Sequence, residues 1–297
     1  MVAPVSIEPS HVRWSEPKPQ LDGPTLIAAF EGWNDAGDAA TTAASHLADR
    51  WGCEPVAEID PEPFFDFTAS RPMVRLDDGK ARHITWPANE VRVARLADPA
   101  IDAVVLIGTE PQLRWRTFSE QLVTLAASLG VKRVVTLGAL LAEVPHSRDV
   151  EVYGSAEDTE LRAELDLTPS GYEGPTGIVG VLSSAFMTAG YPTASFWSAV
   201  PSYMPAAPSP KAALALVKRV CTVMRAPVPI SDLEQRAEAY EREITRIVAE
   251  DDETAEYVGR LEKAWDASRE RARPKASLRD DPDRLVAEVE QFLRDSG

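Results

Sequence analysis

The feature that most constrains this chain is an apolar run, Leu26 to Phe30, that stops abruptly at Glu31-Gly32-Trp33-Asn34-Asp35 and is followed at once by the helix-like run Ala36 to Trp51. Five apolar residues with no polar alternation read as a strand buried on both faces. A buried strand that feeds straight into a helix is the opening unit of an α/β fold. In such folds ligands and partners gather outside the carboxyl ends of the strands. That end here carries two acids, a Trp and an Asn within five residues.

The pattern repeats along the chain. Asp102–Gly108 and Val131–Leu137 read as buried strands, the second stopped by Gly138, and Ala194–Ala199 as a third. Between them, Phe118–Leu129 is an amphipathic helix ended by Gly130, and Ile178–Thr188 is a helix ended by Gly190. Pro55–Ile59 and Val150–Tyr153 are shorter strands, with helices at Ala156–Leu165 and residues 211–225. Val74–Leu76 and Arg82–Trp86, separated by Asp77-Asp78-Gly79-Lys80, carry a hairpin signal that makes the sheet mixed, with Val91–Ala94 beside them. The fold class is therefore α/β: a three-layer α/β/α core with a mixed sheet.

Residues 1–23 are a polar, Pro-rich lead-in with one short edge strand at most, and 24–228 form the α/β core. After Pro227-Val228-Pro229, Ser231-Asp232-Leu233-Glu234 is a capping box. Leu233, Ala237, Tyr240, Ile244 and Ile247 keep helical spacing, and the stripe resumes at Val258, Leu261 and Trp265. Residues 231–267 thus form a helical hairpin appendage with a turn near Glu250–Glu253. A charged linker and a short helix at Leu285–Leu293 complete 268–297.

The chain of 297 residues is long enough to bury about 75% of its unfolded surface without staples. A net charge of −16 argues against nucleic acid and anionic membrane as partners. The two cysteines, Cys53 and Cys221, read as free thiols, and with no signal peptide or membrane-length apolar run the expected location is cytoplasmic.

The chemistry-bearing residues fall in three strand-end clusters. In the first, Glu31 can act as acid or base and Asp35 can orient a ligand, while Asn34 or Asp35 caps the following helix and Asp38 reaches back to it. The second is Gly108-Thr109-Glu110-Pro111, where Glu110 reads as a surface salt link to Arg114 or Arg116. The third holds Glu143, His146 and Arg148. The candidate binding residues are Glu31, Trp33, Asn34, Asp35, Glu143 and His146. No two of the four His are at metal-ligand spacing, and there is no phosphate-cradling loop, so neither metal nor cofactor is expected.

Together with Ser195-Phe196-Trp197-Ser198-Ala199-Val200-Pro201-Ser202-Tyr203 and Pro208-Ser209-Pro210-Lys211-Ala212-Ala213, these clusters resemble the bacterial branch of the proteasome assembly chaperone 2 family, from about Gly23 to Arg225. The resemblance implies a phosphorylase/hydrolase-like fold, a homo-oligomer with a trimer as first guess by analogy to that fold, and proteasome subunits as partners. One feature departs from it. Several such chaperones dock through a hydrophobic-Tyr-X tail, whereas this sequence ends Leu293-Arg294-Asp295-Ser296-Gly297. Two functions follow: a non-catalytic oligomeric interaction protein, or a small-molecule phosphorylase or hydrolase-type enzyme working at the strand-end cleft. Convergence of Glu31, Asp35, Glu143 and His146 on one pocket would favour the enzyme.

Overall fold

The computed structural model describes residues 10–15, 17–77, 81–97 and 100–272. It divides into two units, one ending at Ile247 and one beginning at Val248.

The first unit is built on an eight-stranded mixed sheet. In chain order its strands are β1 (Val12–Trp14), β2 (Thr25–Glu31), β3 (Glu54–Ile59), β6 (Asn89–Ala97), β7 (Ala100–Thr109), β8 (Arg133–Ala142), β9 (Val152–Ala156) and β10 (Thr193–Pro201). Their spatial order is β1-β3-β6-β7-β2-β8-β10-β9. The four central strands, β7-β2-β8-β10, are parallel, and antiparallel strands flank them on both sides. The two remaining strands, β4 (Met73–Asp77) and β5 (Ala81–Thr85), pair only with each other. The sheet is mixed as expected, but for a different reason. The β6–β7 pairing and the edge strands make it so, and the predicted hairpin stands apart as its own two-stranded sheet.

The continuous apolar runs have a direct structural cause. Along β2, Ile27 and Ala29 enter one core and Leu26, Ala28 and Phe30 enter the other. β7 repeats this, with Ala103 and Val105 against Val104 and Leu106. Each face is covered by helices, so every position is apolar. The first core takes α1 (Ala39–Arg50), α3 (Thr159–Leu165) and α5 (Pro210–Met224); the second takes α2 (Trp115–Ser128) and α4 (Ile178–Thr188). Alanines 39, 40, 43, 44 and 48 line the buried side of α1, where small side chains let the helix lie close to the sheet and to α5.

Gly138 does not stop β8, which runs on to Ala142. It pairs with Trp197 on β10, and a Cβ at 138 would lie 2.5 Å from the indole ring. The glycine makes room for that Trp within the sheet.

The helix α6 (Ser231–Val248) is not set apart from the α/β core. Leu233 is buried in the same apolar cluster as α1 and α5, and Ala237, Tyr240 and Ile244 are buried along the same stripe. Their spacing let α6 be recognised as a helix, but the same spacing is met by packing on the core. The second unit contains α7 (Asp252–Ala272), whose amide at Thr254 is capped by the Asp251 carboxylate at 3.0 Å. α7 extends five residues into the stretch expected to be linker. The expected helix at Leu285–Leu293 lies outside the described residues.

Candidate functional site

A cleft of about 930 Å³ opens where β2, β8 and β10 end. Its walls come from Gly32–Asp38, from the β8 end at Ala139–Leu141, from β9 around Tyr153, from the Pro/Gly-rich segment 168–176, and from the loop before α5. This is the strand-end position the sequence pointed to.

The segment 31–38 is folded by its own polar groups. Glu31 pairs with Thr109 across the sheet, and Gly32 then turns the chain with φ at 114°, a backbone conformation open to glycine. The Asn34 carbonyl accepts from the Ala139 amide at 2.8 Å, which joins this loop to the β8 end. Gly37 also has positive φ, and a Cβ there would sit 2.9 Å from Ser209 Cβ. Ser209 donates its amide to the Gly37 carbonyl at 2.7 Å and caps α5, so the Pro208-Ser209-Pro210 motif and the 31–38 loop form one joint.

Asp35 is the cap of α1. Its carboxylate accepts from the Ala40 amide at 2.6 Å and from the Thr41 amide and hydroxyl. Asp35 is 5% exposed, and burial pushes its carboxyl up to about 6 against the lowering effect of those donors. Asn34 does not cap α1, and Asp38 does not reach back: it adopts a left-handed conformation at the helix start with no side-chain cap bond. A 3-10 turn at Ala36–Asp38 intervenes, so the capping group must come from further back, at Asp35.

The Asn34 side chain has another partner. Its amide nitrogen donates to Glu110 Oε1 at 2.8 Å, and the same oxygen accepts from the Ile178 amide at 2.8 Å. Glu110 is therefore not in a surface link to Arg114 or Arg116 but caps α4, where a carboxylate is favoured by the free amides of the first turn. Sequence reasoning missed this because the partner, Ile178, is far along the chain. Gly177 belongs to the same cluster, since a Cβ there would sit 2.4 Å from Asn34 Nδ2.

Of the six candidate residues, Trp33, Asn34 and Asp35 line the cleft. Glu31, Glu143 and His146 do not. Glu31 is exposed, and its carboxylate accepts from the Thr109 hydroxyl at 3.1 Å. Glu143 is exposed beyond the end of β8. His146 is 4% exposed, with its ring between the Tyr203 hydroxyl (2.8 Å from Nδ1) and the Thr245 hydroxyl (3.0 Å from Nε2). Lys211 donates to the His146 carbonyl at 2.7 Å and pairs with Glu241 on α6. This cluster ties the 143–148 loop to α5 and α6. The side chains that complete the cleft and that the sequence did not single out are Tyr153, Tyr172 and Trp197. Their signal was weak: Tyr172 is a lone aromatic in a Pro/Gly-rich stretch, and Tyr153 and Trp197 read as ordinary strand residues.

Fold and site together define an α/β protein with a parallel-strand centre and an open, aromatic-rimmed cleft at the strand ends. Residues 29–248 match the model of the PAC2 family, and the chain belongs to that family. A Mycobacterium tuberculosis structure described as a proteasome-assembly chaperone homologue is 48% identical, with a TM-score of 0.72, over 79% of this chain and 99% of that one. A PAC2 family protein from Streptomyces avermitilis is 45% identical, with a TM-score of 0.74 over the same shares. PbaB of Pyrococcus furiosus, an archaeal proteasome activator, shares the fold at 16% identity and a TM-score of 0.65, covering 80% of this chain and 97% of its own. Comparison with curated protein sequences gives no match. Among the described residues, no helix is long and apolar enough to cross a membrane, and no cluster of three or more metal-ligating side chains is present.

Proposed function

We propose that this protein is a non-catalytic, cytoplasmic homo-oligomer that works in the assembly of other protein complexes, with proteasome subunits as its first candidate partners. The observation that carries this is the β4–β5 hairpin. Val74 pairs with Ile84 and Leu76 with Arg82, so Val74, Leu76 and Ile84 share one face with Arg82, and the three apolar residues are more than half exposed. A two-stranded sheet is marginal in water by itself, and this one joins no larger sheet. Trp86 follows at the base of β5 and packs edge-on against Phe67 with ring centroids 4.7 Å apart. An apolar face of this kind is the usual mark of an association surface.

A second copy of this chain is the occupant that charge favours. Arg71, Arg75 and Arg82 are exposed on and beside the hairpin, while the whole chain carries −16. A basic, apolar arm on an acidic molecule is complementary to the body of its own copy. A ring of three follows from the analogy with the phosphorylase/hydrolase-like fold. The spread of Glu31, Asp35, Glu143 and His146 over separate environments also supports an interaction role. The partner is tested by capture from native lysate with mass spectrometry. Recovery of proteasome α or β subunits is expected; a capture that lacks them and returns a bound metabolite supports the enzymatic reading instead.

A further inference from the structure

The strand-end cleft has a chemistry that the assembly role does not require. Trp33, Tyr153, Tyr172 and Trp197 line it, together with Asp35 and Asp38, and its described lining contains no Lys, Arg or His. Trp33 and Tyr172 are 65% and 67% exposed, although both border a concave site.

An anionic ligand would find no cationic side chain among the described lining, only hydroxyls such as those of Ser155 and Thr168. The helix N-termini that would offer free amides are already occupied by the protein's own carboxylates, α1 by Asp35 and α4 by Glu110. The tyrosine hydroxyls are committed as donors, Tyr153 to Glu151 Oε2 at 2.9 Å and Tyr172 to the Pro175 carbonyl at 2.8 Å. What the cleft offers is aromatic rings, a few hydroxyls and negative charge. The face of an aromatic ring carries the negative end of its quadrupole and attracts a cation, most strongly one that is weakly hydrated. The volume, about 930 Å³, suits a small organic molecule.

We propose that the strand-end cleft binds a small organic cation, an alkyl- or arylammonium compound whose charged nitrogen lies against the faces of Trp33, Tyr153 and Tyr172, with Asp38 as counter-charge. The site is independent of the hairpin and of the assembly role. Ionised Asp35 adds to the field below the cleft, and a bound cation favours that ionised form.

The test is calorimetric titration of the full chain with three probes that share one aryl body: benzyltrimethylammonium, benzyl alcohol and benzenesulfonate. The ammonium compound is expected to bind about tenfold or more tightly than the alcohol, weakening with salt, and the sulfonate not at all. Trp33→Leu is expected to weaken the ammonium about fivefold, and Asp38→Asn to weaken it and flatten the salt dependence. Both positions are exposed, so the variants should melt within a few degrees of the parent, which separates lost binding from lost folding. Equal binding of alcohol and ammonium, binding of the sulfonate, or unchanged affinity in Trp33→Leu overturns the proposal. So does a blocked Lys tripeptide binding about tenfold tighter than the ammonium, which would assign the cleft to a polypeptide.

Discussion

At the scale of single residues, Asp35 combines burial with three donors, and burial wins: its carboxyl titrates near 6 instead of near 3.8. The folded chain therefore holds this proton more tightly than the unfolded chain does. The stability it contributes is fully present below about 3.8 and is lost as pH rises through about 6. A shift of this size corresponds to about 3 kcal/mol. Asp35→Asn cannot titrate, so the stability difference between parent and variant should move by that order between pH 4 and pH 7, with the parent relatively better in acid. Urea unfolding at the two pH values measures this, and a pH-independent difference would contradict it. Exposed acids whose carboxyls are lowered, such as Asp66 and Glu243, are common to both proteins and cancel in the comparison. That Asp35 is a helix cap was legible from its place before an Ala-rich helix. That Asn34 serves a different helix was not, because its partner Glu110 lies elsewhere in the chain.

At the scale of elements, Glu110, just after β7, joins the loop that follows β2 to α4 through one carboxylate oxygen. It accepts from the Asn34 amide group and from the first amide of α4, while its own backbone amide donates to the Glu31 carbonyl at 2.9 Å. Glu110→Ala leaves a buried Asn amide and a helix N-terminal amide unmatched, and is expected to cost about 1–3 kcal/mol. Glu31→Ala removes one exposed bond to Thr109 and is expected to cost less than about 1 kcal/mol. Chemical denaturation of the two variants gives the order, and a larger loss for Glu31→Ala would contradict this account of the joint. The elements themselves were largely readable. β2 and β7 declared themselves by uninterrupted apolar runs, since both their faces are covered, and β8 by the run Val134–Leu137, which only the buried Thr136 breaks. Their lengths were not readable, because Gly108 and Gly138 look like stops and are in fact places where a neighbour comes close. At Gly108 a Cβ would lie 2.1 Å from the Asn89 side chain. The β6–β7 antiparallel pair also went unseen, since β7 has the composition of a parallel strand while its outer neighbour runs the other way.

At the scale of the whole molecule, the sequence pointed to the family and to the strand-end position of the cleft, but not to the surfaces left open. An exposed aromatic and a buried one have the same letter, so only the structure shows that Trp33 and Tyr172 stand at a cleft mouth and that the face of the β4–β5 hairpin is uncovered. His146, a strand-end histidine by sequence, is enclosed between two hydroxyls because α5 and α6 close over its loop. The hairpin face is predicted to be covered by another copy of the chain. Light scattering of the purified full chain at micromolar concentration tests it most directly, with Leu76→Asp/Ile84→Asp as the paired variant. One chain weighs 32.4 kDa. The parent is predicted to scatter as about three chains, and the variant, with two charges on an apolar face but an intact core, as one. A parent that scatters as a single chain, or a variant that keeps the parent's mass, would contradict the account.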